Sequence, residues 1–228
     1  MNLPNTISAL RIAAAPFLLL LPFLPSYGMR LLAFVLFVLA GLTDYWDGVI
    51  ARKRALVTDL GRMLDPLADK ILLLATIVPV YLLMRPRTHW LARVLGLEAD
   101  THSYPFVTPL GEFDLPLWVV IVVLGREVAM TLFRFLAARR GVVIAAISSA
   151  KWKTAFQVVW IGAAYFWFFA ATLAAERGWV GSWWSAAAAG IGVVGVGAMT
   201  GAVALTLFSL GVYVRRFGAV FTRPAAMR

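Results

Sequence analysis

The sequence predicts an all-α integral membrane protein, a bundle of six transmembrane helices forming one domain over residues 1–228, with both termini cytoplasmic. Three observations carry this. Of the 228 residues, 62% are hydrophobic and only 14% charged, whereas a soluble domain is about a quarter charged. Six segments meet the requirement of roughly 20 mostly apolar residues per crossing: residues 8–26, 31–51, 61–84, 115–137, 152–174 and 185–213. They mix Leu, Val, Ala and Phe without a period of two, which favours helices over the strands of a barrel.

The amino terminus, MNLPNTISALR, has neither the basic start nor the small-residue cleavage site of a secretory signal, and reads as mature sequence entering the first span. Spans two and three are joined by a short turn around 53–59. The longest connection, 85–114, is rich in Pro, Thr and acidic residues and is expected outside the membrane. Its HWLARVLG stretch has the makings of an interfacial helix, although an ordinary surface loop is the preferred reading. His89 and His102 fall here, far from the acidic residues discussed below, and are given no catalytic part. The sixth segment holds GIGVVGVGAMTG, with Gly197 and Gly201 four apart. Such spacing lets helices approach closely, within the chain or at a dimer seam.

Lys and Arg set the orientation. Arg52, Lys53, Arg54, Arg139, Arg140, Lys151, Lys153, Arg215, Arg216, Arg223 and Arg228 gather on one side. Arg30, Arg85, Arg87, Arg93 and Arg177 lie on the other, diluted by Glu98, Asp100, Glu112, Asp114 and Glu176. The first side is therefore expected to be cytoplasmic. The net charge of +10 fits anionic lipid at that surface; no soluble basic module points to nucleic acid. There is no cysteine, which excludes disulfides, a thiolate nucleophile and sulfur-ligated metal.

Five of the eleven acidic residues stand in DYWDGVIARKRALVTDLGRMLDPLADK, residues 44–70, between two apolar runs. Charges inside a membrane helix cost about 2.5–3.5 kcal/mol each at its centre, so a cluster at its edge needs a compensating cation or water. On a helix, Asp47, Gly48 and Ala51 lie at about −60°, +40° and −20° from Asp44. Gly61, Asp65 and Asp69 form a single stripe on the next helix, whereas Asp59 falls off both faces and reads as a capping or solvated residue. Antiparallel pairing would bring four carboxylates together, with small residues leaving a gap. Oxygen ligands without His or Cys suit Mg²⁺ or Mn²⁺. Four carboxylates suit two such ions, the arrangement that stabilises entering and leaving oxygens in displacement at phosphorus. Arg52 is placed to pair with a phosphate oxygen.

Written as a pattern, these residues read D-x2-D-G-x2-A-R-x8-G-x3-D-x3-D. Every fixed position and gap resembles the signature of the CDP-alcohol phosphotransferase family. The resemblance implies a homodimer of six-helix chains in the bacterial inner membrane, with a metal site open to the cytoplasm. It implies transfer of a phosphate-bearing group from a CDP-linked donor to an alcohol, releasing CMP. By position, Asp44, Asp47, Asp65 and Asp69 correspond to the metal ligands, and Asp69 to the proposed general base. Asp44, Gly48, Ala51, Arg52 and Gly61 correspond to positions around the CDP moiety. The flanks NLPNTISALRI, LDPLADKIL, GREVAMTLFR and AKWKTAFQ are most similar to the phosphatidylglycerophosphate synthase branch, which joins CDP-diacylglycerol to sn-glycerol 3-phosphate. Residues 85–114 are long for that branch.

A phosphorylated acceptor needs cations nearby. Arg126 and Arg134 on the fourth span, with Lys151 and Lys153 at the start of the fifth, are the candidates, and Thr154 is a further hydroxyl. Glu127 is expected to pair with a basic residue, Arg11 among them. Other acceptors for the same donor, such as inositol phosphate, serine or another alcohol, remain alternatives. A divalent-cation transporter is a remote one, since an ion filter gives no reason for the glycine and alanine gaps or Arg52.

Overall fold

The computed structural model describes residues 3–54, 59–85, 102–139 and 148–217, without the side chains of 3–5, 44–54, 59–66, 148–151 and 216–217. The HWLARVLG stretch and the turn at 55–58 lie outside the described residues. Helix α1 spans Leu3–Leu20 and passes into a 3-10 turn, Leu21–Phe23. It stops short of the expected residue 26 because Pro22 and Pro25 cannot continue the backbone hydrogen-bond ladder. Helices α2 (Tyr27–Arg54) and α3 (Asp59–Met84) follow. Then come α4 (Leu117–Arg139), α5 (Ser148–Arg177) and α6 (Ser182–Phe217). Helix α4 begins directly after Pro116, whose carbonyl accepts the Val119 amide at 3.0 Å. Gly178 (φ 63°) and Gly181 (φ 106°) take the left-handed backbone that turns α5 into α6.

Four stretches among the described residues are long and apolar enough to cross a membrane: Thr6–Phe23, Leu67–Met84, Trp152–Arg177 and Ser182–Arg215. The apolar part of α2 with described side chains, Tyr27–Thr43, is shorter, and α4 carries Arg126, Glu127 and Arg134 within its length. The all-α expectation needs one amendment. Strands β1 (Phe106–Thr108) and β2 (Gly111–Phe113) form an antiparallel hairpin, pairing Phe106 with Phe113 and Thr108 with Gly111. Thr108 Oγ1 closes its turn, accepting from the Leu110 amide at 3.1 Å and donating to the Gly111 carbonyl at 2.9 Å. Three-residue strands carry too little alternation to be seen in sequence.

The described residues fall into two compact units, one within 1–115 and 161–196 and the other within 116–160 and 197–228. In the first, α1 packs against both α2 and α3. Tyr165 sits at the centre, donating to the Leu18 carbonyl at 2.8 Å and stacking on Phe37 with ring centroids 5.5 Å apart. Arg30, placed by the sequence on the outer side, is buried within the protein. It donates to the Pro22 carbonyl at 3.0 Å and to Thr172 Oγ1, and lies 4.3 Å from the Tyr104 ring centroid. One guanidinium thus joins the 3-10 turn, α5 and the chain before the hairpin. The ends of the long connection meet at Arg85 and Asp114, 3.1 Å apart, and the Tyr104 amide donates to the Leu83 carbonyl at 2.8 Å.

Three glycines of α6 lie against neighbouring segments of the chain. A side chain at Gly192 would strike the backbone carbonyl of Val107, and one at Gly195 the ring of Phe106. In the second unit, a side chain at Gly201 would meet the Phe156 ring at 2.6 Å, while Gly197 has nothing within 4 Å. Gly192→Val is therefore expected to lower thermal stability by about 1–3 kcal/mol through overpacking against a backbone that cannot step aside. Gly197→Val should melt close to wild type. Paired thermal melts in detergent check this, and equal melting of both variants would contradict the packing.

Candidate active site

The aspartate pattern sits on two helices of the first unit. Helix α2 remains helical through Arg54, carrying positions 44, 47, 48, 51 and 52 on its last turns. Helix α3 carries positions 61, 65 and 69 from its first turn onward. The backbone therefore has the periodicity on which the two stripes depend. Four residues separate the helices, so their ends lie within about 18 Å of each other. The side chains of Asp44, Asp47, Ala51, Arg52 and Asp65, and the surroundings of Gly48 and Gly61, lie outside the described residues.

Asp69 is described. Its side chain is 60% exposed, and its Oδ1 accepts from Arg11 Nη1 at 2.8 Å. Arg11 is only 3% exposed. It belongs to the buried stripe Ser8, Arg11, Ala15 and Leu18 of α1, whose spacing of three, four and three keeps one face toward the core. Sequence reasoning offered Arg11 as a partner of Glu127; its carboxylate partner is Asp69. The signal was a cation inside the first apolar segment, which requires a partner without revealing which one. The candidate metal ligands on α2 and α3 are carboxylates in sequence, and the one described, Asp69, is exposed; a hard divalent cation would suit that chemistry.

The cationic candidates lie in the second unit. Arg126 Nη1 donates to Glu127 Oε1 at 3.0 Å, and Lys153 Nζ donates to the same oxygen. Arg126 Nη2 lies 3.4 Å from Ser209 Oγ, which donates to the Thr206 carbonyl at 3.0 Å. Arg126 and Lys153 are 7% and 4% exposed. Two buried cations thus share one carboxylate. Burial without full compensation is costly, and an arriving anion would supply the missing charge. Arg134 and Thr154 are exposed, and the Lys151 side chain lies outside the described residues. The structure therefore joins Arg126 to Lys153 and adds Glu127, Ser209 and Thr206. Ser209 and Thr206 escaped sequence reasoning because an uncharged hydroxyl in an apolar segment carries little signal.

Residues 1–222 match the family model of the CDP-alcohol phosphatidyltransferases. The chain belongs to that family. It is an enzyme of phosphatidyl transfer, in keeping with its apolar helices and the aspartate signature across α2 and α3. Among curated relatives, it is similar to the CDP-diacylglycerol–glycerol-3-phosphate 3-phosphatidyltransferase of Bacillus subtilis (strain 168), at 34% identity over 175 residues. That match covers 71% of this chain and 75% of the relative. It is similar to a probable phosphatidylglycerophosphate synthase of Mycobacterium tuberculosis, at 34% identity over 71% of this chain and 64% of the relative. A Rickettsia bellii CDP-diacylglycerol–glycerol-3-phosphate 3-phosphatidyltransferase is 51% identical over 77 residues, 34% of this chain and 42% of the relative.

Proposed function

We propose that this phosphatidyltransferase is a phosphatidylglycerophosphate synthase, moving the phosphatidyl group of CDP-diacylglycerol to sn-glycerol 3-phosphate and releasing CMP. Within the family, the observation that carries this reading is the pair of buried cations, Arg126 and Lys153, sharing the single carboxylate of Glu127. An acceptor without a phosphate, such as serine, calls for fewer cations. The names of the relatives support glycerol phosphate as the phosphorylated acceptor.

Asp44, Asp47, Asp65 and Asp69 would hold two divalent cations, Mg²⁺ or Mn²⁺, which supply charge stabilisation at the entering and leaving oxygens. Gly48, Ala51 and Gly61 leave room for the CDP moiety, and Arg52 pairs with a donor phosphate oxygen. Arg126, Lys153, Lys151 and Arg134 draw the acceptor's phosphate. Asp69 takes the proton of the acceptor hydroxyl. That oxygen bonds to the phosphorus of the phosphatidyl group, and the bond to CMP breaks. In this reading the chain crosses the bacterial inner membrane six times as a homodimer, with termini and site facing the cytoplasm.

The test is CMP release by purified protein supplied with CDP-diacylglycerol and Mg²⁺. Glycerol 3-phosphate, inositol phosphate and serine are offered in parallel. Release with glycerol 3-phosphate alone, abolished by EDTA and restored by excess Mg²⁺, is expected. Preference for another acceptor would overturn the acceptor assignment, and EDTA-resistant turnover the metal assignment.

A further inference from the structure

Buried polar atoms in native proteins nearly always find a partner. Among the described residues of the second unit, four buried side-chain atoms make no hydrogen bond: Arg126 Nε, Gln157 Nε2, Trp160 Nε1 and Thr206 Oγ1. Gln157 is 6% exposed, Trp160 and Thr206 fully buried. Their chemistry is one-sided. The guanidinium, amide and indole nitrogens can only donate, and the hydroxyl can also do so. A group meeting them must therefore be rich in acceptor oxygens.

Position narrows this further. Lys153, Gln157 and Trp160 are spaced four and three apart on α5, which sets them along one helical face. The Lys153 end of that face is tied through Glu127 to Arg126, and Arg126 to Ser209 on α6. The Gly201–Phe156 contact holds α6 close to α5 one residue before Gln157. Gln157 thus stands one turn, about 6 Å of rise, along the face from the buried cations, with its amide nitrogen undischarged.

We propose that Gln157 is a specificity-determining residue whose side-chain amide donates to a phosphate oxygen of the acceptor, completing the anion seat begun by Arg126 and Lys153. This rests on the reading of the enzyme as one that takes a phosphorylated acceptor. A neutral amide adds a directional donor where a third cation would enlarge the charge imbalance already present around Glu127. It also distinguishes a phosphate, with several acceptor oxygens, from an unphosphorylated alcohol.

Steady-state kinetics of Gln157→Leu, with thermal melts, test it. Loss of a hydrogen bond to a charged group is expected to raise KM for the acceptor about 10–100-fold. The inhibition constant of inorganic phosphate should rise by a similar factor. kcat and KM for CDP-diacylglycerol should stay within about threefold, since neither depends on this contact. The melting temperature without substrate should not fall, because leucine removes a buried donor that has no protein partner. Gln157→Asn, with the amide drawn back by one methylene, should fall between. An unchanged acceptor KM in folded Gln157→Leu overturns the proposal. So does a lower melting temperature with unchanged KM, which would make the amide structural. These outcomes are read with whichever acceptor supports turnover. A wild-type preference for inositol phosphate would sink the glycerol phosphate assignment and leave Gln157 tested; a preference for serine would sink both.

Discussion

Asp69→Asn protein should stay folded, melt below wild type because buried Arg11 loses its countercharge, and release CMP about 10³-fold more slowly. Asparagine keeps the shape of the side chain and a carbonyl oxygen able to accept from Arg11, which holds Asp69 at 2.8 Å. The side chain is 60% exposed, so no core packing is lost. What disappears is the negative charge and the basic oxygen. General-base catalysis alone is worth about 10²–10⁴-fold, and a weakened metal site would add to the loss. The decisive comparison is kcat at saturating Mg²⁺ beside a thermal melt. Full turnover in well-folded protein would move the base to another residue. Recovery at very high Mg²⁺ would show that Asp69 serves as a ligand only.

Glu127→Gln should produce the largest stability loss of any single change in the second unit, about 3 kcal/mol or more. Arg126 and Lys153 are both buried and both donate to Glu127 Oε1. Removing that charge leaves two cations facing each other in poor solvent, the situation in which breaking a buried pair costs about 3–5 kcal/mol. A second substitution, Lys153→Met, removes one of them. The double variant should therefore melt above Glu127→Gln alone, although it will bind the acceptor poorly. If the double variant melts lower still, the cluster is not held by shared charge.

The sequence was most informative where physics allows few solutions. Carboxylates 44, 47, 65 and 69 stood at helical spacing in apolar surroundings, and backbone periodicity on α2 and α3 matches that spacing. The helices themselves were legible because apolar length is nearly the whole requirement; their ends moved where Pro22, Pro116, Gly178 and Gly181 act on the backbone. Partner choice was not legible. Arg11 and Glu127 each needed an opposite charge, yet pairing depends on which helix faces which. The burial of Arg30 was not legible for a related reason. An arginine near a helix end can reach water or turn inward, and only Tyr104, Pro22 and Thr172, far apart in sequence, make the inward position favourable. Gln157 stood only as the last letter of the AKWKTAFQ flank, because an amide beside an apolar run becomes informative only once its surroundings are known.

The junction at Leu83, Arg85, Tyr104 and Asp114 fastens together two points of the chain that are distant in sequence. Once such a base is fastened, the entropy of the excursion grows only logarithmically with length, about 0.6 kcal/mol per doubling. The four fastening residues are therefore the ones that any change made between them has to retain.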